Sequence, residues 1–142
     1  MAKVAELLAG KGRTVIAIGP DEPVLEAIEL MAEKGIGAVL VMRGEELLGI
    51  LSERDYARKI ILRGRSSAET AVWEIMTAPV TTVSPQDSVN TCMVLMTDRK
   101  FRHLPVVDDG RVVGVLSIGD LVKAVIEEQQ REIAELQRYI AS

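Results

Sequence analysis

The stretch Gly49-Ile50-Leu51-Ser52-Glu53-Arg54-Asp55 reads as a short buried strand running straight into the first turn of a helix. A second copy stands 65 residues further on, at Gly114-Val115-Leu116-Ser117-Ile118-Gly119-Asp120. The same offset holds without a gap well outside these heptapeptides: Val15 answers Val80, Pro20 answers Pro85, Val24 answers Val89, and Val41 answers Val106. A register that preserves both turns and every apolar block marks a duplication.

Each copy spells strand, helix, strand, strand, helix. In the first, residues 15–18 have strand character, and Gly19-Pro20-Asp21-Glu22-Pro23 turns the chain into a helix. In that helix Val24, Ala27, Ile28 and Met31 recur at helical spacing, and Gly35 closes it. Ala38-Val39-Leu40-Val41-Met42 is a continuous apolar run, as in a strand covered on both faces. A turn over residues 43–46 returns the chain through residues 47–51, and a helix is expected over residues 53–63, ended by Gly64. The polar residues 65–70 read as a linker. Val72-Trp73-Glu74-Ile75-Met76 looks like a partner of Val4-Ala5-Glu6-Leu7-Leu8, a short helix that Gly10 and Gly12 end. The fold class is α/β (α+β). Its divisions are a lead-in over 1–13, repeat 1 over 14–64, a linker over 65–78, repeat 2 over 79–131 and a helical extension over 132–142.

Composition narrows the function. The 142 residues are 48% hydrophobic but only 3% aromatic, so the core is built from Val, Ile, Leu, Met and Ala. A net charge of −4 and the absence of an aromatic platform argue against a nucleic-acid partner. No run approaches the ~20 apolar residues of a membrane span, and no signal-peptide pattern opens the chain. Cys92 is the only cysteine, which excludes an intrachain disulfide and a multi-Cys zinc site. Its apolar helical stripe suits a buried, inert thiol. The expectation is a cytoplasmic protein without membrane association.

Ser52-Glu53-Arg54-Asp55 and Ser117-Ile118-Gly119-Asp120 share the form Ser-x-x-Asp at a helix start. One reading is a capping box, in which serine and acid satisfy each other's backbone N–H groups. The other is a nucleotide site. A carboxylate there can accept both hydrogen bonds of a ribose diol, and the preceding glycine lets a backbone or ligand come close. Both readings stand on the residues alone.

Two such repeats, each ending Gly-h-h-Ser-x-x-Asp (h apolar), with Arg102-His103-Leu104-Pro105-Val106-Val107-Asp108 in the second, resemble a tandem CBS-domain pair, a Bateman module. The resemblance covers roughly residues 10–130. It implies two small sheets packed face to face about a pseudo-two-fold axis, and two clefts that bind an adenosine ligand such as AMP, ADP, ATP or NAD. Carried over, the first cleft would combine Ser52, Arg54 and Asp55 with Val80, Thr81, Thr82, Phe101, Arg102, His103 and Pro105. The second would combine Ser117 and Asp120 with Thr14, Val15, Ile16, Ile36, Gly37 and Ala38.

The two clefts should differ. The first has Arg54, Arg102 and His103 for phosphate, with Arg54 and Arg58 at helical (i, i+4) spacing. The second has Gly119, Gly37 and Ala38 at the corresponding places, so the tighter nucleotide site is expected in the first. His103 reads either as a satisfied strand-end residue or as a phosphate contact.

The last helix should run from Leu121 to about Tyr139. Val122, Ile126, Gln129, Ile133, Leu136 and Ile140 alternate four and three residues apart, a heptad seam with one polar position. That seam can pack on its own protomer or build a homodimer. No Walker loop, metal-ligand cluster or Ser-His-Asp arrangement points to an enzyme. The expected function is a non-catalytic adenine-nucleotide sensor acting through its own assembly or a separate regulated protein. A structural dimerisation module with vestigial clefts is the competing reading.

Overall fold

The computed structural model describes residues 2–141, which gather into two compact units: residues 15–81, and residues 82 onward together with the lead-in up to Thr14. The chain is mixed α/β, with one copy of the repeat in each unit.

In the first unit, β1 (Ala17–Ile18) runs parallel to β2 (Ala38–Arg43), and β2 runs antiparallel to β3 (Glu46–Ser52). Helix α2 (Val24–Lys34) lays Val24, Ala27 and Met31 on this sheet, against Val39, Val41 and Leu51. Those helical positions fall on one face at i, i+3 and i+7. Val39, Leu40 and Val41 are all buried in succession, so β2 is covered on both faces as its apolar run requires.

The second unit contains α1 (Val4–Lys11), α5 (Val89–Arg99), β4 (His103–Asp108), β5 (Arg111–Ser117) and α6 (Ile118–Ala141). Asp109 and Gly110 turn β4 into β5, both at positive φ (52° and 77°), the conformation a tight two-residue hairpin needs. Its core joins Val4 and Leu8 of α1 to Val89, Cys92, Met96, Leu104, Val106, Leu116 and Leu121. Both hairpins carry a bulge at the same place, between Val41 and Met42 and between Val106 and Val107.

The copies differ at the outer strand. In the first unit the Leu40 N–H donates to the Ile16 carbonyl at 3.1 Å. Pro105 stands where Leu40 does and has no N–H, so that rung cannot form. The first strand of the second copy shrinks to one bridge, Val83 with Val106.

Two local expectations need correction. The strand expected over residues 15–18 is confined to Ala17–Ile18. The helix expected over residues 53–63 is α-helical only as α3 (Glu53–Tyr56), then widens into a π-helical segment, Ala57–Ile61. Arg54 and Arg58 therefore do not share one regular helix face. The linker residues 65–70 are tied to the first unit. Thr70 is buried and donates to the Ser66 carbonyl at 2.6 Å, while the Val24 and Leu25 N–H groups donate to the carbonyls of Thr70 and Ser67.

The lead-in segments explain the glycines. Short helix α4 (Val72–Ile75) packs in the first unit, where the Val72 and Trp73 N–H groups donate to the Glu22 and Pro20 carbonyls. Helix α1 repeats this in the second unit, with Val4 and Ala5 donating to Asp87 and Pro85. Each copy thus takes the segment that precedes the other copy. A Cβ on Gly49 would lie 2.6 Å from Met76 Sδ and 3.0 Å from the Thr77 carbonyl; one on Gly114 would lie 2.6 Å from Leu8 Cδ2. Of the two readings of these glycines, close approach of another segment is the one they serve here.

Helix α6 buries Leu121 and half-buries Ala124 and Val125. From Arg131 onward every described residue is exposed, and Val122, Ile126, Ile133, Leu136 and Ile140 line its free side.

Candidate functional site: two capped aspartates

Both Ser-x-x-Asp corners fold as capping boxes. The chain leaves β3 extended at Ser52, whose Oγ accepts from the Asp55 N–H at 3.2 Å. Asp55 Oδ2 accepts from the Ser52 N–H at 3.0 Å and from its hydroxyl at 3.1 Å. Ser117 and Asp120 repeat every bond, at 3.2, 2.7 and 2.9 Å. The Glu53 N–H donates to the Gly37 carbonyl and the Ile118 N–H to the Arg102 carbonyl. Each box fixes its carboxylate in one orientation.

Beyond the box the corners diverge. Asp55 Oδ1 accepts from Thr77 Oγ1 at 3.1 Å and pairs with Lys59 Nζ at 3.1 Å. Lys59 also donates to the Ile75 carbonyl at 2.9 Å. Both oxygens of Asp55 are occupied, and its side chain is only 12% exposed. Asp120 is 25% exposed and takes Lys11 Nζ at 2.5 Å on Oδ2, the oxygen already bonded to Ser117. Lys11 also donates to the Val115 carbonyl at 2.6 Å. Among the described residues Asp120 Oδ1 has no partner. Burial raises the proton affinity of Asp120, but the bonds from Lys11 and Ser117 outweigh it and hold the acid below its usual range.

The remaining sequence-derived candidates distribute between the units. Val15, Ile16, Ile36, Gly37, Ala38, Val80 and Thr81 lie in the first with Ser52, Arg54 and Asp55. Thr14, Thr82, Phe101, Arg102, His103 and Pro105 lie in the second with Ser117 and Asp120. Within the units, Ala38 pairs with Ser52 across β2 and β3, and His103 with Ser117 across β4 and β5. Pro105 is buried in β4, and Arg54 and Arg102 are exposed.

Sequence reasoning missed three residues on the carboxylates. Lys59 was within reach of the helical (i, i+4) rule applied to Asp55. Thr77 and Lys11 gave no such signal, because both lie in lead-in segments outside the 65-residue register. Cys92, in contrast, is the buried thiol expected: it is fully inaccessible, and burial pushes it up to about 11. No group of His, Cys, Asp or Glu among the described residues could hold a metal ion, and no helix there is long and apolar enough to cross a membrane.

The CBS-domain profile matches residues 11–62 and 72–127, one match for each copy. The chain belongs to the CBS-domain family. It is 40% identical to the CBS domain-containing protein CBSX3, mitochondrial, of Arabidopsis thaliana, over 96% of this chain and 71% of that one. Among solved structures, this CBS pair is similar to a CBS-domain protein from Burkholderia ambifaria MC40-6, with 52% identity and a TM-score of 0.86 over 90% of this chain and 96% of that one. The CBS domain protein PAE2072 of Pyrobaculum aerophilum, solved in complex with AMP, is 25% identical, with a TM-score of 0.75 over 84% and 89% of the two chains. The family and the mixed α/β fold with two CBS repeats and a long C-terminal helix agree with the sequence reading.

Proposed function

We propose that this CBS pair is a regulatory adenine-nucleotide-binding module without catalysis, taking AMP, ADP, ATP or NAD at the two Ser-x-x-Asp corners. The observation that carries the reading is the twofold capping box, which fixes one carboxylate per repeat in a single orientation. A fixed carboxylate is a ready acceptor for a ribose diol, since no side-chain entropy remains to be lost on binding. The AMP complex of PAE2072 supports the ligand class.

The corners should differ in what they ask of a ligand. Asp55 must release Thr77 or Lys59 from Oδ1 before accepting a diol, whereas Asp120 offers Oδ1 directly. In this reading the exposed Arg54 offers the first corner a phosphate contact and keeps it the tighter nucleotide site. Output passes through assembly or through a separate regulated protein, because a ligand shifts an equilibrium only by its differential affinity for two states. The exposed stripe of α6 supports a homodimer as that assembly. The single, buried Cys92 suits a reducing compartment such as the cytoplasm.

Isothermal titration with AMP, ATP and NAD tests the reading. Heat with at least one ligand is expected, weakened in Asp55→Ala and in Asp120→Ala. Silence with all three would leave the dimerisation module with vestigial clefts, which the same α6 stripe favours.

A further inference from the structure

Lys11 lies in α1, outside the repeat register, yet its ammonium sits on the carboxylate of the second corner. The placement follows from packing. Leu8 fills the space left by Gly114, and Lys11 stands three residues on, along the same face of α1. From there Nζ reaches Val115 O at 2.6 Å and Asp120 Oδ2 at 2.5 Å. Asp120 Oδ1 stays open. The first corner has an ammonium of separate origin, Lys59, again shared between the corner carboxylate and a main-chain carbonyl. The position equivalent to Lys59 in the second copy is Ala124, so the two corners draw their cations from non-equivalent positions.

Building on the nucleotide reading, we propose that Lys11 is a specificity-determining residue that makes the second corner select phosphate-bearing ligands over uncharged nucleosides. The chemistry is one of exchange. A nucleoside diol finds only Asp120 Oδ1 open; to use Oδ2 as well it must displace the ammonium, to which it offers no anion in return. A nucleotide brings its own anion, so Lys11 can leave Asp120 without being left unpaired, a loss that a charged group bears badly. The Lys11 side of the ion pair is 39% exposed, so the pair is weak enough for a ligand to open. Lys11 thereby supplies the cation that Gly119, which stands where the first corner has Arg54, does not.

The test compares AMP with adenosine by titration calorimetry in the full chain, as wild type, Lys11→Met and Lys11→Arg. The expected result is a preference for AMP in the wild type that falls about five- to tenfold in Lys11→Met, partly through tighter adenosine binding, and is kept in Lys11→Arg. An AMP-to-adenosine ratio unchanged in Lys11→Met overturns the assignment while leaving nucleotide binding intact. Failure of every variant to bind either compound overturns this assignment, and silence with ATP and NAD as well overturns the nucleotide reading. A second readout needs no substitution: with ¹³C-dimethylated lysines, AMP should shift the Lys11 methyl resonance, and a resonance that ignores saturating AMP overturns the proposal.

Discussion

Gly49 and Gly114 are the positions where one added carbon should be felt most, and unequally. At Gly49 the new Cβ meets the Thr77 carbonyl, main chain that is hydrogen-bonded in turn to Ile50. Gly49→Ala should therefore destabilise by about 1–3 kcal/mol in urea unfolding. At Gly114 the three nearest atoms all belong to the flexible side chain of Leu8. Leu8→Ala should cost about 2–5 kcal/mol by itself, yet clearly less in a Gly114→Ala background, because the alanine occupies part of the vacated space. Strict additivity of the two would mean that Leu8 does not fill that space. Asp120 carries the pH dependence. Its folded-state value is lowered, so its contribution is complete above the unfolded-state value of about 3.9 and is lost as pH falls toward the folded value. Asp120→Asn should flatten the stability loss between about pH 5 and pH 3, by less than about 1 kcal/mol for this partly exposed pair. An unaltered acid limb would show that the carboxylate gains nothing from its partners.

Helix α6 divides at Arg131 into a packed half and a free half. The free half is shorter than the ~12–15 residues an isolated helix needs to be even marginal in water. Along the whole of α6, Ile126, Ile133 and Ile140 alternate with Val122, Gln129 and Leu136 as the two seam positions of a paired helix do. A chain ending at Gln130 should keep its fold with a loss under about 1 kcal/mol and sediment as a monomer, whereas the full chain should sediment as a dimer. A truncated chain that remains dimeric would place the contact elsewhere. This seam was readable from the sequence because apolar spacing records which face needs cover. The corners were half readable. Ser52 and Asp55 declare a helix start, and duplication declares that it matters twice, but no spacing rule brings Lys11 to Asp120 across the chain. The π-helical segment escaped as well, since Ile60 falls at an ordinary helical interval from Tyr56 and nothing in the composition marks the wider turn.

The unit of residues 15–81 is continuous in sequence; the other is not. A fragment of residues 15–81 should give a cooperative unfolding transition. One of residues 14–64, the extent the repeat pattern suggests, lacks Thr70, Val72 and Ile75, all buried, and should not. Equal cooperativity in both fragments would deny α4 its part in the core. Repeat alignment identifies which segments are alike, not which touch, and the exchange of the lead-in segments is therefore invisible to it. That exchange sets an order of events at the ribosome. The continuous unit can close once residue 81 has emerged. Helix α1 is made before either copy of the repeat, yet the Val115 carbonyl that Lys11 will hold is 104 residues downstream. At about 5–20 residues per second α1 waits some 5–20 s, with Val4 and Leu8 uncovered, for the strand that receives it. Helix α1 therefore docks after the continuous unit can close, and until then its uncovered apolar face is a stretch of the nascent chain that a chaperone would shield.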